Sequence, residues 1–277
     1  MCLALIKEEP LRLKPLTGLA PGQIAELTLR VAALMGRPLT RAGGRPSALG
    51  LHDSVALVVY LIRKNPTQEE AAAVFDVSQS TVSRRWDLLR PLMGTALACE
   101  IPPPSKIGGA FGTYLVDGTV CPTWDWRSVP DLYSGKAGYP GMNVQIAANL
   151  DGRIAAVGPL PVPGVCHDAH AYAASGLADL LAGLHAMADL GYVGVEGVDL
   201  VPIKRLPGRD LHEHDVEFNK RHSGVRAAVE RAVAHFKCWR MFSEEGGRFR
   251  APIEKFGETL TATIGLLNFA RFYEAFE

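Results

Sequence analysis

Apolar positions at helical spacing dominate the first hundred residues. Ile24, Leu27, Val31 and Leu34 fall on one face behind Pro21, so a helix is expected from Pro21 to Leu34. His52 to Arg63 is apolar-rich and reads as a second helix. Thr67-Gln68-Glu69-Glu70 is a capping box, in which hydroxyl and carboxylate each satisfy a free backbone N–H, and it opens a third helix through Phe75. After the turn Asp76-Val77-Ser78, Ser78 caps a fourth helix running from Gln79 to Leu89. Ile101-Pro102-Pro103-Pro104-Ser105 is stiff and cannot continue a helix. A domain boundary is expected there, with an all-α domain over 1–104 and a second domain over 105–277. Beyond it the pattern changes to strands: Gly112 to Asp117, then Met142 to Asn149 and Arg153 to Leu160, joined by the turn Asp151-Gly152. A helix from about Asp168 to Leu184, a short strand from His185 to Asp189 and a helix from Arg226 to Trp239 complete the pattern.

Composition narrows the class. With 277 residues, 48% hydrophobic and 21% charged, the chain is a folded globular protein. No apolar run approaches the roughly 20 residues of a membrane span. The start, Met1 to Lys7, is too short for a signal-peptide core. The five cysteines are scattered without a Cys-x-x-Cys pair, which points to reduced thiols in a cytoplasm. Formal net charge is +0, mildly against a nucleic-acid partner, but the charges are uneven. Arg37, Arg41, Arg45, Arg63 and Lys64 face only Asp53 in their stretch, and a second basic run holds Lys204, Arg205 and Arg209. A neutral total can hide basic surfaces around an acidic pocket. The Gly-Pro-Arg loop from Gly36 to Pro46 is either a linker or a phosphate-tracking segment.

The second, third and fourth helical patterns, about 51–90, form a helix-turn-helix. The last helix of such a unit enters the DNA major groove by its N-terminal residues. Gln79, Ser80 and Thr81 are placed to reach base edges, and Ser83, Arg84 and Arg85 to grip phosphates. The plainer alternative is a helical bundle with Arg84 and Arg85 as a solvated face.

Three carboxylates carry the chemistry. Asp117 and Asp189 end apolar runs, and Glu230 lies in the last helical stretch. Carboxylates at two strand ends and on a later helix can converge on divalent metal, a device for cutting and joining phosphodiesters. Three strands, a helix and another strand is the order of the RNase H-like nuclease fold, α/β in class, which sets Asp117 and Asp189 side by side. Arg226, Glu230 and Lys237, spaced by four and seven residues, lie within roughly 40° on one helix face. Such a stripe offers a metal ligand between two phosphate grips, or an ion-paired surface. Asp168 opens a helix and either caps it or serves as a fourth metal ligand. Cys166, His167 and His170 are too cramped for a structural zinc module. Trp124 and Trp126 read as packing, with base stacking as the alternative.

Val116-Asp117-Gly118-Thr119, Tyr133-Ser134-Gly135-Lys136, Gly164-Val165-Cys166-His167-Asp168, Ala188-Asp189-Leu190-Gly191-Tyr192, Phe218-Asn219-Lys220-Arg221 and Arg226-Ala227-Ala228-Val229-Glu230-Arg231 follow one another in this order, and Lys237-Cys238-Trp239-Arg240 and Leu266-Leu267-Asn268-Phe269 complete the set. With them the chain resembles bacterial insertion-sequence transposases of the DDE class, in the branch related to PIF/Harbinger elements, over nearly its whole length. The resemblance implies a catalytic triad of Asp117, Asp189 and Glu230 holding two Mg²⁺ (or Mn²⁺) ions. It implies Arg226 and Lys237 as partners of Glu230 in an Arg-Glu-Lys signature. A tyrosine belongs three residues before the arginine in that signature, and here Ser223 stands in its place. Lys136 would hold phosphates, although the residues after it, Ala137-Gly138-Tyr139-Pro140, are less basic than usual. The implied partner is double-stranded DNA, both element ends and target, handled by a homodimer or larger assembly in the bacterial cytoplasm, at the nucleoid. A repurposed DNA-binding protein and a hydrolytic nuclease without strand transfer are the alternatives.

Overall fold

The computed structural model describes residues 13–36, 38–39, 47–101, 112–124 and 129–274. Arg37, Arg41 and Arg45 of the basic loop, the prolines of the proposed linker, and Trp126 lie outside the described residues. The chain divides into two compact units. One holds the described residues up to Glu100 together with Cys238–Phe249 and Glu254 onward; the other holds the remainder.

The first unit is helical. α1 (Leu13–Thr17) and α2 (Pro21–Leu34) precede α3 (Leu51–Lys64), α4 (Gln68–Phe75) and α5 (Gln79–Ala96). Ile24, Leu27 and Val31 are buried as the periodicity requires, while Leu34, at the helix end, is exposed. α3 is central, with Val55 to Val59 all buried. Its end is set by Asn65 in the left-handed region (φ 50°), whose amide nitrogen donates to the carbonyls of Gly246 and Arg248, each at 3.0 Å. The capping box is formed in full: Glu70 N donates to Thr67 Oγ1 at 3.1 Å, and Thr67 N to Glu70 Oε2 at 2.6 Å. Asp76 (φ 51°) ends α4, and Ser78 Oγ accepts from Thr81 N at the start of α5. α5 runs well past Leu89, through Pro91, because Val82, Trp86, Leu89 and Met93 keep one face buried.

The second unit is a mixed sheet with helices. β1 (Thr113–Pro122), β2 (Tyr133–Ser134), β3 (Tyr139–Ala148), β4 (Ile154–Val157), β5 (Val162–Pro163), α6 (Asp168–Ala174), α7 (Leu177–Leu180), β6 (His185–Met187) and α8 (Glu213–Lys237) follow in sequence. The strand order is β2-β3-β1-β6, and β4 and β5 also pair with β3. β1 runs antiparallel to β3 and parallel to β6, and an isolated parallel bridge joins Met187 to Leu200 beyond β6. On one face Tyr114, Val116, Ala147, Tyr172, Leu177, Ala186 and Tyr192 share a core.

Four expectations need correction here. Asp189 does not end its strand: β6 stops at Met187, and Asp189 caps the tight turn that follows. Asp117 does not end its strand: β1 continues to Pro122, because its pairing with β3 is unbroken from Leu115 to Pro122. The helix expected from Asp168 to Leu184 is two short helices, broken at Gly176, whose φ of 76° no helix tolerates. α8 begins at Glu213, not Arg226, and stops at Lys237. The last helix, α9 (Phe256–Glu274), belongs to the first unit. It packs on α5, where the bare Gly94 lets the helices approach, and Arg90 reaches Glu258 at 2.7 Å.

Candidate active site

Sheet register places the first two carboxylates. β1 and β6 are parallel with Leu115 opposite Met187. Asp117 lies two residues further along β1, and Asp189 two residues past Met187, where its backbone is still extended (φ −85°, ψ −175°), so the two carboxylates are set near each other. Asp189 is half-buried and accepts from Gly191 N at 2.8 Å, which fixes the turn after β6. Asp117 lies mid-strand opposite Ile146, and its side chain is 22% exposed.

Charge at this point is in surplus. Burial pushes the Asp117 carboxyl up from its ordinary 3.8 to about 6. The Arg226 guanidinium opposes the rise, while Asp189 and Asp168 add to it. Arg226, on α8, sets Nη2 3.3 Å from Asp117 Oδ1 and keeps Nε buried without a partner. Asp168, first residue of α6, joins from the other side of β1. Its Oδ2 accepts from Lys136 Nζ at 2.9 Å, and its Oδ1 from Asn143 Nδ2 at 2.9 Å. Lys136, itself exposed, has its pKa raised chiefly by that bond to Asp168, with Asp189 and Asp117 contributing.

Gly118 makes this closeness possible. A Cβ there would lie 2.2 Å from Asp168 Oδ1 and 2.5 Å from Gln145 Nε2. Gly118→Ala is therefore expected to displace both groups and cost ~1–3 kcal/mol of stability through overpacking. Urea unfolding measures it, and an unchanged midpoint would show that the pair has room to move.

The other expected site residues are distributed as follows. Glu230 is exposed on α8, one turn beyond Arg226, and is not among the charges acting on Asp117. Lys237 donates to the Val120 carbonyl at 2.6 Å. Gln79, Ser80 and Arg84 are exposed at the start of α5, and Thr81 and Ser83 are partly so. Gln79 Nε2 donates to Gln68 Oε1 at 2.5 Å, tying the two helices of the turn together. Arg85 is less available, because it turns inward to donate to Ser47 Oγ. His167 and His170 are exposed and Trp124 is largely so. Among the described residues no three His, Cys, Asp or Glu side chains stand, as placed, close enough to hold one ion.

Sequence reasoning passed over Asn143, Gln145 and the Tyr192 hydroxyl, all buried beside Asp168. The signal was present: two amides at alternate positions in the apolar run Met142 to Ala148 share one face, and buried amides require partners.

Comparison with known proteins gives the chain a family. The DDE superfamily endonuclease family matches residues 116–268, a span that includes Asp117, Asp168, Asp189 and Glu230. The helix-turn-helix of DDE superfamily endonuclease matches residues 47–99. The chain is 32% identical over 241 residues to a putative transposase for insertion sequence element IS112 of Streptomyces albus G, covering 85% of this chain and 87% of that protein. It is 23% identical over 236 residues to a probable transposase for insertion sequence element IS702 of Microchaete diplosiphon, covering 82% and 83%. No solved structure matches. With the family matched over more than half its length and a relative above 30% identity along most of it, the chain belongs to the DDE superfamily endonucleases, among the transposases of bacterial insertion sequences.

Proposed function

We propose that the protein binds the ends of its own insertion sequence and cuts and rejoins DNA there, using Asp117, Asp189 and Glu230. The observation that carries this is the half-buried pair of Asp117 on β1 and Asp189 just past the end of its parallel neighbour β6, with more negative charge than Arg226 neutralises. The strand order β4-β3-β1-β6, with β6 parallel to β1, supports an RNase H-like reading of the sheet. The two-part organisation of helical DNA-binding and catalytic regions is supported by the separate family matches.

The donor set suits a hard divalent cation, Mg²⁺ or Mn²⁺: its members are carboxylate oxygens, and burial with the neighbouring Asp189 and Asp168 raises the Asp117 carboxyl, so added positive charge would favour its anion. Asp117, Asp189 and Glu230, with Asp168 beside them, are the residues that would hold two such ions. When bound, the cations supply a more acidic water and charge stabilisation at the phosphoryl group. The chain's own residues do the rest. Arg226 and Lys136, now bonded to carboxylates, are in place to transfer to DNA phosphates, and Lys237 at the foot of the same helix face steadies β1 through Val120. The same carboxylates serve both hydrolysis and attack by a freed 3′-OH, so cleavage and strand transfer need no second site.

DNA selection falls to α5. Gln79, Ser80 and Thr81 read base edges, and Ser83 and Arg84 contact the backbone, joined by Arg85 once it leaves Ser47. Arg84→Ala is expected to weaken binding to end and random DNA alike and to flatten the salt dependence by about one unit of slope. Gln79→Ala should relax the preference by ~1–3 kcal/mol while sparing random DNA. Filter binding on both DNAs at two salt concentrations measures the two; equal losses on both DNAs for Gln79→Ala would remove it as a reader. Two ends are processed together, so the working form is a homodimer or larger assembly on DNA at the bacterial nucleoid. Among the described residues, no helix is long and apolar enough to cross a membrane.

The test is an assay of cutting and joining on DNA carrying the gene's flanking sequence, with Mg²⁺. Joined products establish transposition chemistry. Cut but unjoined DNA makes the protein a hydrolytic nuclease, and binding without cutting makes it a repurposed DNA-binding protein.

A further inference from the structure

Asn143 and Gln145 are 2% and 0% exposed, on the face of β3 where Ala147 meets the core. Amides so deeply buried are kept only when their polar atoms are partnered. Here the partners form a directed chain. The Tyr192 hydroxyl donates to Gln145 Oε1 at 2.7 Å. Burial, and after it the charges of Asp168, Asp117 and Asp189, drive the Tyr192 pKa far upward, so the phenol keeps its proton and acts as donor. That fixes the Gln145 amide with its oxygen toward Tyr192. Its Nε2 then faces Asn143 Oδ1 at 2.9 Å and Asp168 Oδ1 at 3.4 Å. Asn143 is fixed in turn, its Nδ2 donating to the Cys166 carbonyl at 3.1 Å and to Asp168 Oδ1 at 2.9 Å. Every link points its donor toward Asp168. β1 is bare at Gly118, where a side chain would collide with both Asp168 and Gln145.

We propose that Tyr192, Gln145 and Asn143 are positioning residues, a buried one-way relay that holds the Asp168 carboxylate beside Asp117 and Asp189 and so sets how tightly the site takes a divalent cation. The proposal rests on the cation-dependent reading of the site given above. Asp168 need not touch the ion for this. A fixed negative charge beside Asp117 and Asp189 strengthens the attraction for a cation, and a loose one that turns away does not. The same anchoring holds Lys136 at the rim through Asp168 Oδ2.

A network that served only the core would change stability and leave the response to metal alone. Tyr192→Phe keeps the ring and removes the donor; Gln145→Met keeps the volume and removes the amide. Both are made in the full chain. Melting temperature is followed through a Mn²⁺ titration without DNA, and cleavage of end DNA through the same titration. The half-maximal Mn²⁺ concentration is expected to rise about tenfold in both readouts for both variants, while cleavage at saturating Mn²⁺ stays within about threefold of wild type. Unchanged half-maximal concentrations in both variants overturn the relay and leave the proposed function standing. A wild-type protein that responds to Mn²⁺ in neither readout overturns both.

Discussion

Asp117→Asn is expected to lower end cleavage by about 10³-fold or more while making the metal-free protein more stable. The two effects have one origin. Burial and the neighbouring Asp189 and Asp168 raise the Asp117 carboxyl from 3.8 to about 6, against the pull of Arg226. The folded chain therefore holds a proton that the unfolded chain releases between about pH 4 and 6. Across that window the folded state binds more protons, so its stability falls as pH rises. A displacement of this size is worth at most ~3 kcal/mol at neutral pH. Asparagine has the same shape and no charge to desolvate. The variant should thus gain ~1–3 kcal/mol at pH 7, a few degrees of melting temperature, and nothing at pH 4. A divalent cation removes the same penalty in the wild type, so stabilisation by Mn²⁺ should grow between pH 5 and 7 and vanish in the variant. Thermal melting across pH, with and without Mn²⁺, checks both. An Asn variant less stable than wild type at pH 7 would mean that the bond to Arg226 outweighs desolvation. A stabilised variant that cuts normally would remove Asp117 from catalysis.

The helices of the first unit were legible because each carries its own signals. Thr67 with Glu70 and Ser78 with Thr81 mark helix starts by local chemistry, and the structure forms both sets of bonds. The neighbourhood of Asp117 and Asp189 was read from the order of the elements, and β1 does pair in parallel with β6 as far as Leu115 and Met187. What was missed depends on partners distant in sequence. Asp117-Gly118 looks like a strand end, yet β3 holds β1 together beyond it, and the glycine provides room rather than a turn. The first half of α8 has no amphipathic pattern, since His222 is the only buried residue before Ala228, so periodicity started the helix at Arg226. Asn143 and Gln145 look like polar accidents in an apolar strand until Tyr192, some fifty residues later, is known to lie beneath them.

Glu230→Gln is expected to abolish cutting and joining together, by about 10²–10³-fold, with stability unchanged within ~0.5 kcal/mol. The second half of this expectation comes from the structure. Glu230 is exposed, and α8 is anchored by Val229, Ala232 and Phe236 on its buried side, so glutamine removes only a charge. At an ordinary surface position that change would be silent. Glu230 is not an ordinary surface position: it stands one helical turn from Arg226, whose guanidinium already reaches Asp117. α8 thus carries Glu230 toward the same strand, on the flank of the face that packs against β1. Loss of activity in a protein that melts like wild type would assign the third carboxylate to α8. Retained activity would leave Asp168 as the third carboxylate, because its charge already acts on Asp117 and its position is already held. Comparing Glu230→Gln with Asp168→Asn in one cleavage assay decides between the two.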